Sequence, residues 1–134
     1  MAANLRDLKL WQESVALAGD LTRALRQSTR RETKALTDRM MLTAVAIAEQ
    51  VADGHGRYTS LEQREIYRAA RRDLLLVETQ MAVARHADLI PASAQTMLLD
   101  HVQLLHRLLA GYLVYLDRQI TEENADRTPG SGRG

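Results

Sequence analysis

Cysteine and phenylalanine are absent from this 134-residue chain, proline occurs twice and tryptophan once. Without cysteine there can be no disulfide, no thiolate nucleophile and no cysteine-ligated zinc or iron–sulfur centre. The scarcity of proline, with glycine concentrated around Gly54, Gly56, Gly130 and Gly132, leaves long stretches open to uninterrupted helix. No run approaches the roughly 18 uncharged apolar residues that a membrane-spanning helix needs. The opening Met1–Asp7 brings charge at once and has no apolar leader core, so a cytoplasmic protein is expected. The formal net charge of +1 gives no whole-molecule attraction to nucleic acid.

What the chain does contain is Ala, Leu, Val and Met in helical rhythm. Leu8, Trp11, Val15, Ala18 and Leu25 recur at spacings of three and four or their sum, which predicts a first helix over 5–27 with Trp11 buried on its apolar face. Ser28 and Thr29 then supply a turn and a cap. Leu36, Met40, Ala44, Ile47 and Val51 mark a second helix over 31–53, with Gly54 as the left-handed residue that closes it. Ser60 and Gln63 have capping-box spacing, and Tyr67, Ala70, Leu74, Val77, Met81 and Ala84 form an unbroken third seam that stops near Pro91. A fourth helix is expected from Ser93, on Leu98, Val102, Leu105, Leu109, Tyr112 and Leu116. The expectation is an all-α, antiparallel up-down-up-down four-helix bundle spanning 1–121, followed by a disordered polar tail over 122–134. Leu104 and Leu108 widen the apolar face of the last helix. A broad internal core or self-association would each cover them, and self-association is the favoured expectation.

A carboxylate di-metal site, the usual chemistry of four-helix bundles, needs Glu three residues before His on two helices. The residues three before His55, His86, His101 and His106 are Ala52, Val83, Leu98 and Gln103, so no metal or other cofactor is expected. Gly54-His55-Gly56-Arg57 follows a helix and lacks the Gly-Lys-Ser/Thr ending of a phosphate loop, and no nucleophile motif occurs; no enzyme activity is expected. Arg64, Arg68 and Arg71 share one helical stripe, with Arg72 beside it and Arg57 just upstream. Such guanidinium groups suit phosphate contacts, while local pairing of Glu65 with Arg68 or Arg72 would make the same stripe an ordinary solvated face. Aromatic stacking platforms for single strands are not evident, so nucleic-acid binding here would be mostly electrostatic.

Asp7-Leu8-Lys9-Leu10-Trp11-Gln12 resembles the first-helix Asp-Leu-x-x-Trp pattern of a bacterial four-helix-bundle family, named for proteins encoded in intervening sequences of 23S ribosomal RNA genes. Gln50-Val51-Ala52-Asp53-Gly54-His55-Gly56-Arg57 is similar to that family's second-helix ending, Asn-Ile-Ala-Glu-Gly-x-Gly-Arg. Glu32, Leu36-Thr37-Asp38 and the stretch through Ala70, Leu74, Glu78 and Gln80 extend the likeness over about 5–118. Family positions that hold Gln, Arg, Ser, Asn and Glu read here as Arg39, Leu42, Ala46, Gln50 and Asp53. The resemblance implies an antiparallel bundle that assembles as a ring-like homopentamer. A related member, the accessory protein of diversity-generating retroelements, associates with a reverse transcriptase and binds nucleic acid through a basic surface. Two functional expectations result: a non-enzymatic homo-oligomeric scaffold that binds a partner protein, and a nucleic-acid-binding accessory acting on RNA or DNA through Arg57, Arg64, Arg68, Arg71 and Arg72.

Overall fold

The computed structural model describes residues 4–27 and 30–127. Ser28 and Thr29, expected to turn and cap, and the tail beyond Arg127 lie outside the described residues. Four helices follow in order: α1 (Lys9–Arg26), α2 (Lys34–His55), α3 (Ser60–His86) and α4 (Ala92–Arg127). Short 3-10 turns, Leu5–Asp7 and Arg31–Thr33, lead into the first two. Among the described residues there is no strand.

Local chemistry sets the ends. Asn4 Oδ1 accepts from the Arg6 N–H at 3.1 Å, and Gln12 Nε2 donates to the Arg6 carbonyl at 2.7 Å, which fastens the first turn to α1. Before α2, the Thr33 hydroxyl accepts the Arg30 N–H at 3.0 Å. Thr59, one residue ahead of the expected Ser60, caps α3 by accepting the Glu62 N–H at 3.1 Å. Gly54 does not close α2 either. It lies inside the helix, and the chain leaves at Gly56 with φ −83°.

The left-handed closing residue sits instead at the end of α3, and it is Asp88, at φ 61°. Asp88 N–H donates to the Arg85 carbonyl at 3.1 Å and Leu89 N–H to the Ala84 carbonyl at 2.8 Å. This pair of bonds satisfies the last free carbonyls of the helix and turns Leu89 and Ile90 inward, where both are buried. α4 then begins at Ala92 rather than Ser93, with the Pro91 carbonyl accepting the Gln95 N–H at 2.9 Å.

α1 packs on α2 and α4, α2 on α3, and α3 on α4. Between α3 and α4, Ser60 donates to Glu123, Arg64 pairs with Asp117, and Glu78 meets His106. One number falls as the other rises, so the two helices are antiparallel. Gln63 with Gly54 and Gln80 with Thr43 show the same for α3 and α2.

The seams of α2, α3 and α4 form one core, with Met40, Ile47, Leu74, Met81, Leu105 and Leu109 fully enclosed. α1 differs from the expected face. Leu8, Ala18 and Leu25 are buried as expected, but Leu10, Ser14, Leu17 and Leu21 are buried with them, Val15 is exposed, and Trp11 is only partly buried. Ser14 disguised the true stripe: a hydroxyl in the middle of the seam breaks the apolar pattern. It is accommodated by donating to the Leu10 carbonyl at 2.7 Å.

The tail boundary also moves. α4 continues past residue 121 to Arg127, and Glu122 to Arg127 are helical. The Ser60–Glu123 bond at 3.0 Å ties this extension to the start of α3, and the segment offers good helix formers with no proline. Among the described residues no helix is long and apolar enough to cross a membrane.

Candidate functional site

The arginine stripe lies on α3 and is largely committed within the subunit. Arg64 crosses to α4, where Nη1 stands 3.0 Å from Asp117 Oδ1. Arg68 Nη1 pairs with Glu65 at 3.4 Å. Arg57 donates through Nε and Nη2 to the two carboxylate oxygens of Asp53, at 3.1 and 3.2 Å, with Glu62 at 3.8 Å on the other side. Its hydrogen bond to Asp53 raises the guanidinium pKa further above its already high ordinary value. Arg71 and Arg72 are exposed and form no ion pair among the described residues. Of the five cations three carry their own carboxylates, and a paired guanidinium presents little net charge to a phosphate.

The histidines gather no acidic cluster of metal-binding geometry among the described residues. His101 stands between two carboxylates of α1: Nε2 is 3.6 Å from Glu13 and Nδ1 is 3.8 Å from Asp20. His106 Nε2 is 3.1 Å from Glu78 on α3. Both histidines face neighbouring helices across seams of the bundle.

A second gathering was not foreseen. Tyr58, Tyr67, Tyr112 and Tyr115 are all the tyrosines of the chain, and all four line one cavity of about 360 Å³ at the α2–α3 turn. His55, Gln63 and Arg57 line it too, above Leu8 and Leu116. The fold thus brings together aromatic rings that the sequence keeps apart. Tyr67 and Tyr112 meet edge to face, with centroids 5.7 Å apart and planes at 79°. Burial pushes the Tyr67 hydroxyl up to about 12, with the neighbouring Tyr112 adding to the shift, and burial raises Tyr112 as well. Tyr67 is buried and Tyr112 partly buried, while Tyr58 is fully exposed and Tyr115 half exposed, so the aromatic lining runs from the core out to an accessible rim. Gln63 is positioned by donating its Nε2 to the Gly54 carbonyl at 3.1 Å. The signal in the sequence was slight: four tyrosines in a chain with no phenylalanine.

The outer side of α4 carries the third feature. Leu104 and Leu108 are partly buried. With Met97, Gly111 and Tyr115 they follow three-and-four spacing, a stripe beside the core seam. Leu108, Gly111, Tyr112, Tyr115 and Arg107 line a shallow groove of about 420 Å³. Elsewhere, Leu42 on α2 and Leu76 and Val83 on α3 are exposed, Leu42 to 72%.

A family model described as 23S rRNA-intervening sequence protein matches residues 6–111, from the turn before α1 to the middle of α4. No curated protein matches the chain.

Proposed function

The chain belongs to the 23S rRNA-intervening sequence protein family, and from that premise we propose that it works as a non-enzymatic, homo-oligomeric helical scaffold. The observation that carries this reading is the stripe on α4, Met97–Leu104–Leu108–Gly111–Tyr115, which lies beside the core seam with Met97 and Tyr115 exposed and Leu104 and Leu108 only partly buried in the single subunit. A helix whose apolar face exceeds what its own bundle covers gains by burying the rest against another surface. α2 and α3 offer that surface in Leu42, Leu76 and Val83. These residues lie on helices other than α4, so a contact between them and the α4 stripe joins unlike surfaces. A contact between unlike patches is heterologous, and it closes into a ring when the rotation allows. Five subunits are what the family resemblance implies. The scaffold would then display a repeated outer surface to a partner protein in the cytoplasm.

The alternative, a nucleic-acid accessory acting through the arginine stripe, draws less support, because Arg57, Arg64 and Arg68 are paired with carboxylates and only Arg71 and Arg72 remain uncommitted.

Light scattering on the full chain at tens of micromolar tests the scaffold reading. The expected result is a mass several times that of the 15.1 kDa chain. Leu76→Glu and Met97→Glu, both at exposed positions, are each expected to reduce it toward a monomer while helical circular dichroism is retained. A monomeric mass for the unaltered protein would overturn the reading.

A further inference from the structure

We propose that the cavity at the α2–α3 turn is a binding site for an unpaired, uncharged nucleobase, taken as a free nucleoside or from a single strand.

The first argument is convergence. The tyrosines stand at 58, 67, 112 and 115, on the α2–α3 turn, α3 and α4, and folding brings every one of them to the same cavity. Core packing accounts for the two that floor it. It does not account for Tyr58, which is 100% exposed and covers nothing. An exposed aromatic ring on the rim of an aromatic-lined cavity is a surface for a second planar ring, and stacking of a base on such a ring is favourable whatever the base.

The second argument is size. About 360 Å³ lies in the lower part of the range for small-molecule sites and accommodates one base with its sugar.

The third argument is polarity. A hydrocarbon ring would need only the tyrosine faces. This cavity also holds an imidazole, His55, and a carboxamide, Gln63. The Gln63 nitrogen is already engaged with the Gly54 carbonyl, so its oxygen is the group left to accept. The Tyr67 and Tyr112 hydroxyls are phenols, protonated at ordinary pH, and can donate. Donors and acceptors together in one aromatic-lined cavity suit the polar edge of a base, and would be left unpaired by benzene-like rings.

The fourth argument fixes the charge of the ligand. Arg57 is the one arginine in the lining, and Asp53 and Glu62 both face it. The cavity therefore offers no net cationic clamp for phosphate, and recognition rests on the ring rather than on an anion. The site shares Tyr115 with the stripe of the scaffold reading, and the two are told apart by their readouts: assembly is read from mass, this site from ligand binding.

Adenosine, adenosine 5′-monophosphate and a six-residue single-stranded oligoadenylate are titrated into the full chain, followed by NMR. Saturable adenosine binding that shifts the amides of residues 55–59 is expected. The monophosphate is expected to bind no more tightly than adenosine, with little dependence on salt. Tyr58→Ala is expected to weaken binding roughly tenfold, and Tyr58→Phe to restore it. Because Tyr58 is fully exposed, neither variant disturbs the fold. Binding of the oligomer that exceeds adenosine after allowance for six bases assigns the site to a strand; equal binding assigns it to a free nucleoside, and either supports the proposal. No saturable binding of adenosine at millimolar concentration, affinity unchanged by Tyr58→Ala, or tighter, salt-sensitive binding of the monophosphate would each overturn it.

Discussion

The ring of Tyr67 occupies the space that a side chain on Gly54 would need: a Cβ at Gly54 would collide with Cε1 of that ring and stand 2.8 Å from Cδ1. Glycine is therefore required inside α2 by packing between helices, not by a left-handed backbone. Gly54→Ala is expected to destabilise the protein by about 1–2 kcal/mol, since overpacking outweighs the helix propensity gained. In a Tyr67→Ala background the same substitution should become stabilising by up to about 1 kcal/mol. Urea denaturation of the four proteins completes the cycle, and equal effects in both backgrounds would refute the packing explanation.

Asp88 closes α3 from a conformation that costs residues bearing a Cβ roughly 1–2 kcal/mol. Its contact with Arg85, 3.6 Å and exposed, offsets little of that. Asp88→Gly should raise stability by up to about 1 kcal/mol, visible as a higher thermal midpoint. A lower midpoint would mean that the carboxylate matters more than the backbone.

Alkaline pH should weaken the fold through Tyr67. Its folded pKa is raised from 10.0 to about 12. Between these values the unfolded chain has released the proton while the folded chain retains it, so stability falls as pH rises. The contribution is intact below pH 10 and is lost on the way to about 12. Tyr67→Phe should flatten that part of the stability profile, measured by urea midpoints at successive pH values.

The arginines should separate by their partners. Arg64→Ala removes a partly buried contact between α3 and α4 and is expected to cost about 1 kcal/mol. Arg71→Ala and Arg72→Ala remove exposed side chains without ion pairs and should leave the thermal midpoint unchanged. Equal losses at all three positions would show that the stripe is not divided in this way.

Much of this architecture was legible because three helices keep their apolar residues in phase. Every residue of the α3 seam from Tyr67 to Ala84 is buried as its spacing predicts. α1 is legible only in part: Leu8, Ala18 and Leu25 are buried as their spacing predicts, but the buried Ser14 hides the seam that it shares with Leu10, Leu17 and Leu21, and Val15 and Trp11 suggest a face that is not fully covered. The family resemblance was carried by short motifs and did not depend on that phase. The arginine spacing was visible, but pairing was not: Asp117 is 53 positions from Arg64, and only the antiparallel packing of α4 on α3 brings it near. The tyrosine cavity was hidden for the same reason, since Tyr58 and Tyr115 belong to opposite parts of the chain and meet only at the end of the bundle.

The three polar contacts along the α3–α4 seam have a consequence beyond the energy of each. Leucine seams repeat every three or four residues, so sliding one helix along the other by a turn would still bury leucine against leucine. The hydrophobic effect is nearly blind to such a slip. Ser60 with Glu123, Arg64 with Asp117 and Glu78 with His106 are not, because a shift of one turn breaks all three together. They act as a vernier, adding little to how firmly the helices hold but selecting a single alignment from several that apolar burial alone would accept.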